Sequence, residues 1–592
     1  MAKIGKEKSK SKFGPKKIFA FSLIALAIFI AYYVIDSNIM LDSDIQTEPE
    51  NLDQTQKHVE QVTYDNKISW KDVVDDANYA WKGSMNLKDL FVPSDIDLTI
   101  DYNSHNGDAL LLLDYSLLDS SIWMYLITGD KIYLEQARAV ADDIEQYLLS
   151  DNDIVQAVSR IHGPMDSFET TNRNALLAVS KLALLDPNYQ ELTQKLANSM
   201  IHYEIDSNTN LFYTGVFSNG TTGTKEMYLP FGGDVGIESL LKAYEVTSNE
   251  KYLDQARNTI VAFWELKNPN TNLIPSWVYS DTLEIKQDFM QQYGAGSFLK
   301  NLLHYYYLTS DETIYQIISD YVEAISLYMW DGMRWEYRTN QDGSILSPVV
   351  EANFAKLDDA LFLVYDLNRT KFHDIFEKAK TDFDHTFKND FIISNNLVNH
   401  AINDDGTPNA NQSMLGYAFI AIQNPSMRLY HETGQDVYLS KIQSFYNAIA
   451  VIHKRDYGYI AGVNTQTLND DPLNYFIADS ATGVFANKIF TTVLPSPNVK
   501  VVWITIGHAS LEQPFLGTFT DTGWFNEVKF DFEKKMITLN FVTGQGTIKF
   551  TNEIESATIN GQVYTNFEEN ALKTQQGTNS YTVTLEQFLP ST

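Results

Sequence analysis

At 592 residues the chain is long enough for a large core and more than one domain. Aromatic residues at 13% and charged residues at 20% mark a globular protein, and a formal net charge of −32 argues against a nucleic-acid partner, which needs a basic face. Cysteine is absent, which removes disulfides, thiol nucleophiles and cysteine-bound metals.

The first 17 residues carry seven lysines against one acid, Glu7, and lead into IFAFSLIALAIFIAYYVI over 18–35. Eighteen uncharged residues, at about 1.5 Å each, come close to the thickness of a bilayer's hydrocarbon layer. The expectation is one transmembrane helix with the lysines in the cytoplasm, making the chain a single-pass cell-membrane protein whose bulk is extracytoplasmic. A cleaved signal peptide is the alternative reading of that segment. Residues 36–67, which include SDIQTEPENLDQTQKH, are polar and acidic and read as a spacer.

Over 68–497 one phrase recurs: YLITGDKIYLEQARAVADDI from 125, YEVTSNEKYLDQARNTIVAF from 244 and YYLTSDETIYQIISDYVEAI from 306, with weaker copies from 365 and 430. Each copy is the end of an apolar helix, a short polar turn and an amphipathic second helix, so each is half of a helical hairpin. The first helices of the pairs begin near 108, 171, 234, 291, 353 and 414, a spacing of 57 to 63 residues. A period of this size means stacked units burying their faces on one another. The expected fold is mainly α, a closed (α/α) toroid with apolar inner helices and an outer ring of amphipathic ones. SWKDVVDDANYAWKGSM (69–85) and ADSATGVFANKIF (478–490) either pair to close a seventh hairpin or stand as extra helices beside six.

From 498 to 592 the pattern changes to alternation, as in VKVVWITI, EVKFDF, KMITLNFV, GTIKFTN and SYTVTLE. These are short strands of a small antiparallel β-sandwich, serving as a domain that covers the barrel or as an accessory carbohydrate-binding module.

In such a ring the segments leading into the inner helices meet at one end, the mouth. They read SHNGD (104–108), MDSFETTNR (165–173), FGGDVGIES (231–239), QDFMQQYGAG (287–296), VVEANFAKLDD (349–359), NANQSM (409–414) and NYFIADSATG (474–483). His105, Asp108, Glu169, Asp234, Glu238, Asp288, Gln292, Tyr293 and Glu351 among them are candidate site residues, with His162 of HGPMD (162–166) just ahead of the second segment. One acid at a helix start is ordinarily a cap, but acids at most openings of one cavity suggest chemistry. Paired carboxylates cleave a glycosidic bond: one protonates the leaving oxygen while the other activates water or attacks the sugar. Trp277, Tyr293, Trp330, Trp335 and Tyr475 are candidates for stacking on sugar rings, and each is also explicable as core packing. Arg160 and Arg173 either bind a sugar carboxylate or hold Glu169 ionised, and the second would oppose an acid role.

FETTNR (168–173), opening the second inner helix, resembles the FETTIR-type motif of glycoside hydrolase family 47, the class I α-mannosidases. GGDVGIESLLKAYEVTSNEKYL (232–253) is similar to that family's third-hairpin pattern of Gly-Asp, an acid, LLKAY, Thr and YL. The resemblance, which covers roughly residues 100–270, implies a barrel of helical hairpins, Glu169 as general acid, and Asp234 and Glu238 lining the sugar pocket. Calcium as a cofactor is implied by the resemblance alone, and the sequence names no metal ligands. Three family features are absent. MQQYGAG carries glutamines in place of an aspartate, NQSMLGYAF lacks an Arg-Pro-Glu run, and no Thr-Glu-Ala-His segment closes the chain.

The sequence therefore reads as a carbohydrate-active protein of the α/α-toroid class with an oligosaccharide or glycan substrate. A glycoside hydrolase with Glu169 as acid and Glu351 or Asp288 as the second carboxylate is the first reading. A sugar epimerase or polysaccharide lyase using His105, His162, Arg160 and Tyr293, and a non-catalytic glycan-binding protein, are the alternatives.

Overall fold

A computed structural model describes five positions between 75 and 82 and most of 113–586. The longer stretches outside the described residues are 1–74, 83–112, 386–392, 415–424, 441–450, 468–504, 511–522 and 587–592, with shorter ones that include 160–162, 166–170, 230–232 and 352–354. The transmembrane and spacer expectations for 18–67 thus lie outside the described residues. Among the described residues no helix is long and apolar enough to cross a membrane.

Five consecutive helical hairpins are described. They are Leu113–Thr128 (α1) with Lys131–Asp143 (α2), Thr171–Leu185 (α3) with Gln190–Tyr203 (α4), Asp234–Thr247 (α5) with Glu250–Trp264 (α6), Gln292–Thr309 (α7) with Glu312–Tyr328 (α8), and Ala355–Leu367 (α9) with His373–Phe383 (α10). The starts of α3, α5, α7 and α9 fall within two residues of those expected. The second helices carry one apolar stripe each: in α6 the buried residues are Tyr252, Leu253, Ala256, Thr259, Ile260, Phe263 and Trp264, at helical spacing. The first helices are buried more nearly all round, as in α7.

The recurring phrase has a specific physical content, because its Thr-Ser-Asn/Asp core builds the hairpin turn. Thr247 Oγ1 and Thr309 Oγ1 donate to the carbonyls of Ala243 and Tyr305, closing the last turn of each inner helix. Ser248 and Ser310 then take φ of +53° and +55°, reversing the chain in the left-handed region. Asn249 and Asp311 cap the following outer helices by accepting from the amides of Lys251 (3.2 Å) and Thr313 (2.8 Å). The arginine of the Gln-Ala-Arg that follows reaches the next unit along. Arg138 Nε lies 2.7 Å from Asp186, and Arg257 Nε lies 2.9 Å from Asp311. The copies from 244 and 306 thus form the same capped turn, and those from 125 and 244 tie to the turn of the next hairpin.

Inner helices pack on inner helices in chain order, α1 on α3, α3 on α5, α5 on α7 and α7 on α9. Their side chains meet at matching depth. Ser239 Oγ near the start of α5 donates to the carbonyl of Arg173 near the start of α3 (2.7 Å). Glu245 late in α5 meets His304 late in α7 (3.0 Å). The inner helices are therefore parallel, and they all begin at one end. Buried ion pairs also link them, Lys181 with Asp119 at 3.0 Å, and Asp359 with both Lys300 (2.5 Å) and Arg428 (3.3 Å).

Short antiparallel strands frame the mouth end. Ala157–Ser159 (β1) pairs with Gly163–Met165 (β2) ahead of α3. Glu226–Tyr228 (β3), ahead of α5, pairs with Trp277–Tyr279 (β4), which follows α6 and pairs in turn with Ile285–Gln287 (β5). Phe289–Gln291 (β6), Arg338–Asn340 (β7) and Ile345–Ser347 (β8) repeat this around α7 and α8. Val350–Glu351 (β9), Ala401–Ile402 and Pro408–Ala410 repeat it around α9 and α10. The start of the sixth inner helix, expected from near 414, lies outside the described residues. Gln412–Met414 is a strand paired with Gly462–Asn464, because that lead-in is held in the same kind of mouth ladder, and helical residues are described from 425.

Of the segment 69–85, the described positions are helical and pack on the first hairpin. Trp81 Nε1 donates to Ser121 Oγ (2.9 Å), and Trp81 meets Tyr133 edge-on at 4.8 Å. Its expected partner, 478–490, lies outside the described residues. Toward the C-terminus a five-stranded antiparallel sheet runs in the order Gly523–Asp531, Met536–Thr543, Gly577–Leu585, Ile554–Ile559 and Gln562–Tyr564. A second sheet holds Gly546–Lys549, Ala571–Thr574 and Phe567–Glu568.

Two substitutions check this packing by urea denaturation. Phe298→Ala removes a fully buried ring of α7 that lies 5.8 Å from Phe263 and 5.7 Å from Tyr321. It should cost about 3–5 kcal/mol. Asp311→Ala removes a helix cap and should cost about 1 kcal/mol.

Candidate functional site at the barrel mouth

The mouth strands alternate in the manner of half-buried sheets. Met227 and Val278 point into the core, while Glu226, Tyr228, Trp277 and Tyr279 share the opposite face through the pairs Tyr228↔Trp277 and Glu226↔Tyr279. Lys286 of β5 reaches over this face. Its Nζ lies 2.6 Å from Glu226 Oε2 and 3.6 Å from the centre of the Trp277 ring.

A chain of hydrogen bonds runs from this sheet to the next. Tyr228 Oη donates to Gln291 Oε1 (2.7 Å), and Gln291 Nε2 donates to Tyr337 Oη (2.6 Å). Arg338 Nη2 donates to the same phenol oxygen (3.3 Å), and its guanidinium lies 5.1 Å from the Phe289 ring. Flat aromatic faces interleaved with amide, phenol and carboxylate groups are the chemistry that suits a polyhydroxyl ligand. Sequence reasoning named Trp277 here but missed Glu226, Tyr228, Lys286, Tyr337 and Arg338. The signal was present as two-residue alternation in EMY, WVY and IKQDFMQ.

His105, Asp108, His162 and Glu169 lie outside the described residues, as do Arg160 and Tyr475. Asp234 is the first residue of α5, and Glu351 ends β9 opposite Ala401; their backbones are described and their side chains are not. Glu238 is half-buried in the second turn of α5, Asp288 is exposed between β5 and β6, and Tyr293 is half-buried at the start of α7. Glu351 and Asp288 thus flank helix starts of the mouth, on neighbouring hairpins.

Three residues expected to touch ligand are used for internal contacts instead. Arg173 is 1% exposed. Its Nε lies 2.8 Å from Glu204 Oε2, its Nη2 donates to the Tyr213 carbonyl, and its guanidinium sits 4.7 Å from the Phe212 ring. Asn172 donates to the other Glu204 oxygen (2.6 Å) and accepts from the Val155 amide (3.2 Å). The Asn-Arg of FETTNR therefore ties the start of α3 to the segment after α4. Gln292 is 1% exposed, and its amide donates to the Trp335 carbonyl. Trp335 is fully buried against Trp330, with ring centres 4.7 Å apart.

Trp335 also organises a buried carboxyl pair behind the mouth. Its Nε1 donates to Asp358 Oδ1, and its backbone amide donates to Asp382 Oδ1, each at 2.9 Å. Asp358 sits in the first turn of α9 and Asp382 in the last turn of α10, and both are buried. Burial, reinforced by the neighbouring Asp382, pushes the Asp358 carboxyl well above the usual range; burial likewise pushes Asp382 up to about 7. Both carboxyls therefore keep their protons at a pH where ordinary ones are ionised. Elsewhere, burial raises Glu245, but Lys242 and His304 beside it outweigh this and hold it ionised. Among the described residues no group of three or more acidic or histidine side chains gathers to hold a metal ion.

No family model matches this chain, and no curated protein matches its sequence. Solved structures do. An α-1,2-mannosidase from Trichoderma reesei is similar over 77% of this chain and 97% of its own, at 14% identity and a TM-score of 0.50. A sugar epimerase from a ruminal bacterium is similar over 63% of this chain and 98% of its own, at 9% identity and a TM-score of 0.50. Both likenesses concern the fold, which is that of the α/α toroids.

Two outcomes follow from the buried groups. Arg173→Met strands the Glu204 carboxylate in the interior and should lower stability by about 3–5 kcal/mol in denaturant titration. An unfolded carboxyl titrates near 4, whereas Asp382 keeps its proton to about 7. The native state therefore binds the extra proton between those values. Its contribution to stability should be full below about pH 4 and decline by roughly 1.4 kcal/mol per unit until about pH 7. Thermal melts across that range should show the decline in the wild type relative to Asp382→Asn.

Proposed function

We propose that this chain is a carbohydrate-active enzyme, a glycoside hydrolase that works on oligosaccharides at the mouth of an α/α barrel. The observation that carries the reading is the common start of the parallel inner helices. Glu169 precedes α3 by two residues in the sequence, Asp234 opens α5, Asp288 lies four residues before α7 and Glu351 four before α9. Acids that lead into parallel neighbours share one end of the barrel. The FETTNR resemblance and the likeness in fold to a mannosidase support the same reading.

In this mechanism Glu169 is the general acid, and Glu351 or Asp288 activates water or attacks the sugar. Asp234, Glu238 and Tyr293 bind the sugar, as do His105, Asp108 and His162. The domain is a closed ring, held outside the cell by the 18–35 segment as a membrane anchor, with the C-terminal sheets as a separate sandwich. Calcium enters by the family resemblance only. A sugar epimerase is the second reading, supported by the equal likeness in fold to an epimerase, and it differs in conserving the glycosidic bond.

The test is to screen residues 60–592 on α-linked manno- and gluco-oligosaccharides beside a Glu169→Gln variant, separating products by chromatography. The expected result is release of shorter sugars by the wild type and a loss of about 100-fold or more in the variant. A product of unchanged length with altered sugar configuration would favour the epimerase. Hydrolysis that survives the substitution unchanged would remove Glu169 from the mechanism.

A further inference from the structure

The mouth face of β3, β4 and β5 holds an arrangement that the hydrolase reading leaves unused. Trp277 is 4% exposed, although it lies on the face of its sheet that points away from the core. A flexible side chain lies over its ring. Lys286 Nζ stands 3.6 Å over the indole, and the lysine side chain itself is 29% exposed. The ammonium is pinned at its other side by Glu226 Oε2 at 2.6 Å. Tyr228 flanks the indole at 5.2 Å between ring centres, and its hydroxyl leads on to Gln291. A cation over an aromatic face and an ion pair at a partly exposed position are both weak contacts. An ammonium held only by these can swing into water on its four-carbon stem.

We propose that Trp277 is a stacking platform for a neutral pyranose ring, and that Lys286, pinned by Glu226, is a cover the sugar must displace. This rests on the proposed action on oligosaccharides and adds the place where one ring of the substrate sits. The chemistry favours a sugar because a pyranose offers an apolar C–H face to the indole and hydroxyls at its rim. Gln291 and Tyr228 stand at that rim, and so does Glu226 once the lysine has left. Because the cover is ionic, salt should loosen it, and a neutral ligand brings no charge of its own to be screened.

The experiment titrates α-linked mannotriose and glucotriose into the full-length protein by calorimetry, at low and high salt, with wild type, Lys286→Met, Trp277→Phe and Trp277→Ala. The expected pattern is that Lys286→Met binds about three- to tenfold more tightly than wild type, by removal of the cation–π contact and ion pair. Wild-type affinity should rise with salt, and that of Lys286→Met should not. Trp277→Ala should abolish binding, with Trp277→Phe, which keeps an aromatic face and the fold, in between. Wild-type binding that Trp277→Ala leaves unchanged would overturn the platform. Binding that Lys286→Met leaves unchanged or weakens would overturn the cover. If the wild type binds neither sugar, the oligosaccharide reading fails and the platform falls with it.

Discussion

Parallel packing of α1, α3, α5, α7 and α9 obliges every segment leading into an inner helix to arrive at the same end of the molecule. A helix can lie parallel to its predecessor in sequence only if an antiparallel partner returns the chain in between. The hairpin is therefore the repeating unit, and its turn is where the sequence repeats most faithfully. The Thr-Ser-Asn/Asp turns and the Gln-Ala-Arg ties belong to the far end, where they set the hairpin and its contact with the next. The mouth end is left free of that pattern, and there the openings differ from one hairpin to another. Chemistry can vary at one end of such a barrel because the fold is specified at the other.

The interior is more polar than a ring of apolar helices requires. Arg173–Glu204, Lys242–Glu245–His304 and Lys300–Asp359–Arg428 are buried ionic contacts within and between hairpins. Taking such charges from water costs about as much as their attraction returns, so their net contribution to stability is small. What they do supply is penalty for misplacement, since a shift of one helix by a turn would leave a charge unpaired in a dry core. The Asp358–Asp382 pair differs in being two acids side by side in a dry core. Burial keeps both protonated, and Trp335, linked to both carboxyls and to Gln292, holds the segment between α8 and β7 against the mouth.

Period and amphipathicity were legible in the sequence because helical hairpins write their burial into a repeating pattern. They put the starts of α3, α5, α7 and α9 within two residues. The mouth sheets were not legible, since strands of two or three residues carry too short an alternation to stand apart from loop, and their pairing is settled by the helices they connect. The same limit hid the strand at 412–414, which is extended because a strand fifty residues away pairs with it. Single residues were hardest. Trp335 and Gln292 have the types expected of a sugar site, and only three-dimensional context shows them spent on a buried network. Arg173 lies inside a motif that resembles a catalytic one, yet its partner is Glu204, which stands thirty-one residues on and belongs to no motif.

The claim that this common end is where the protein meets its substrate can be read directly by hydroxyl-radical footprinting of the protein with and without mannotriose. The account predicts protection in the mouth strands, over 226–228, 277–279 and 285–293, and none in the far turns at 248–249 and 310–311. Protection at the far turns, or on the C-terminal sheets alone, would contradict it.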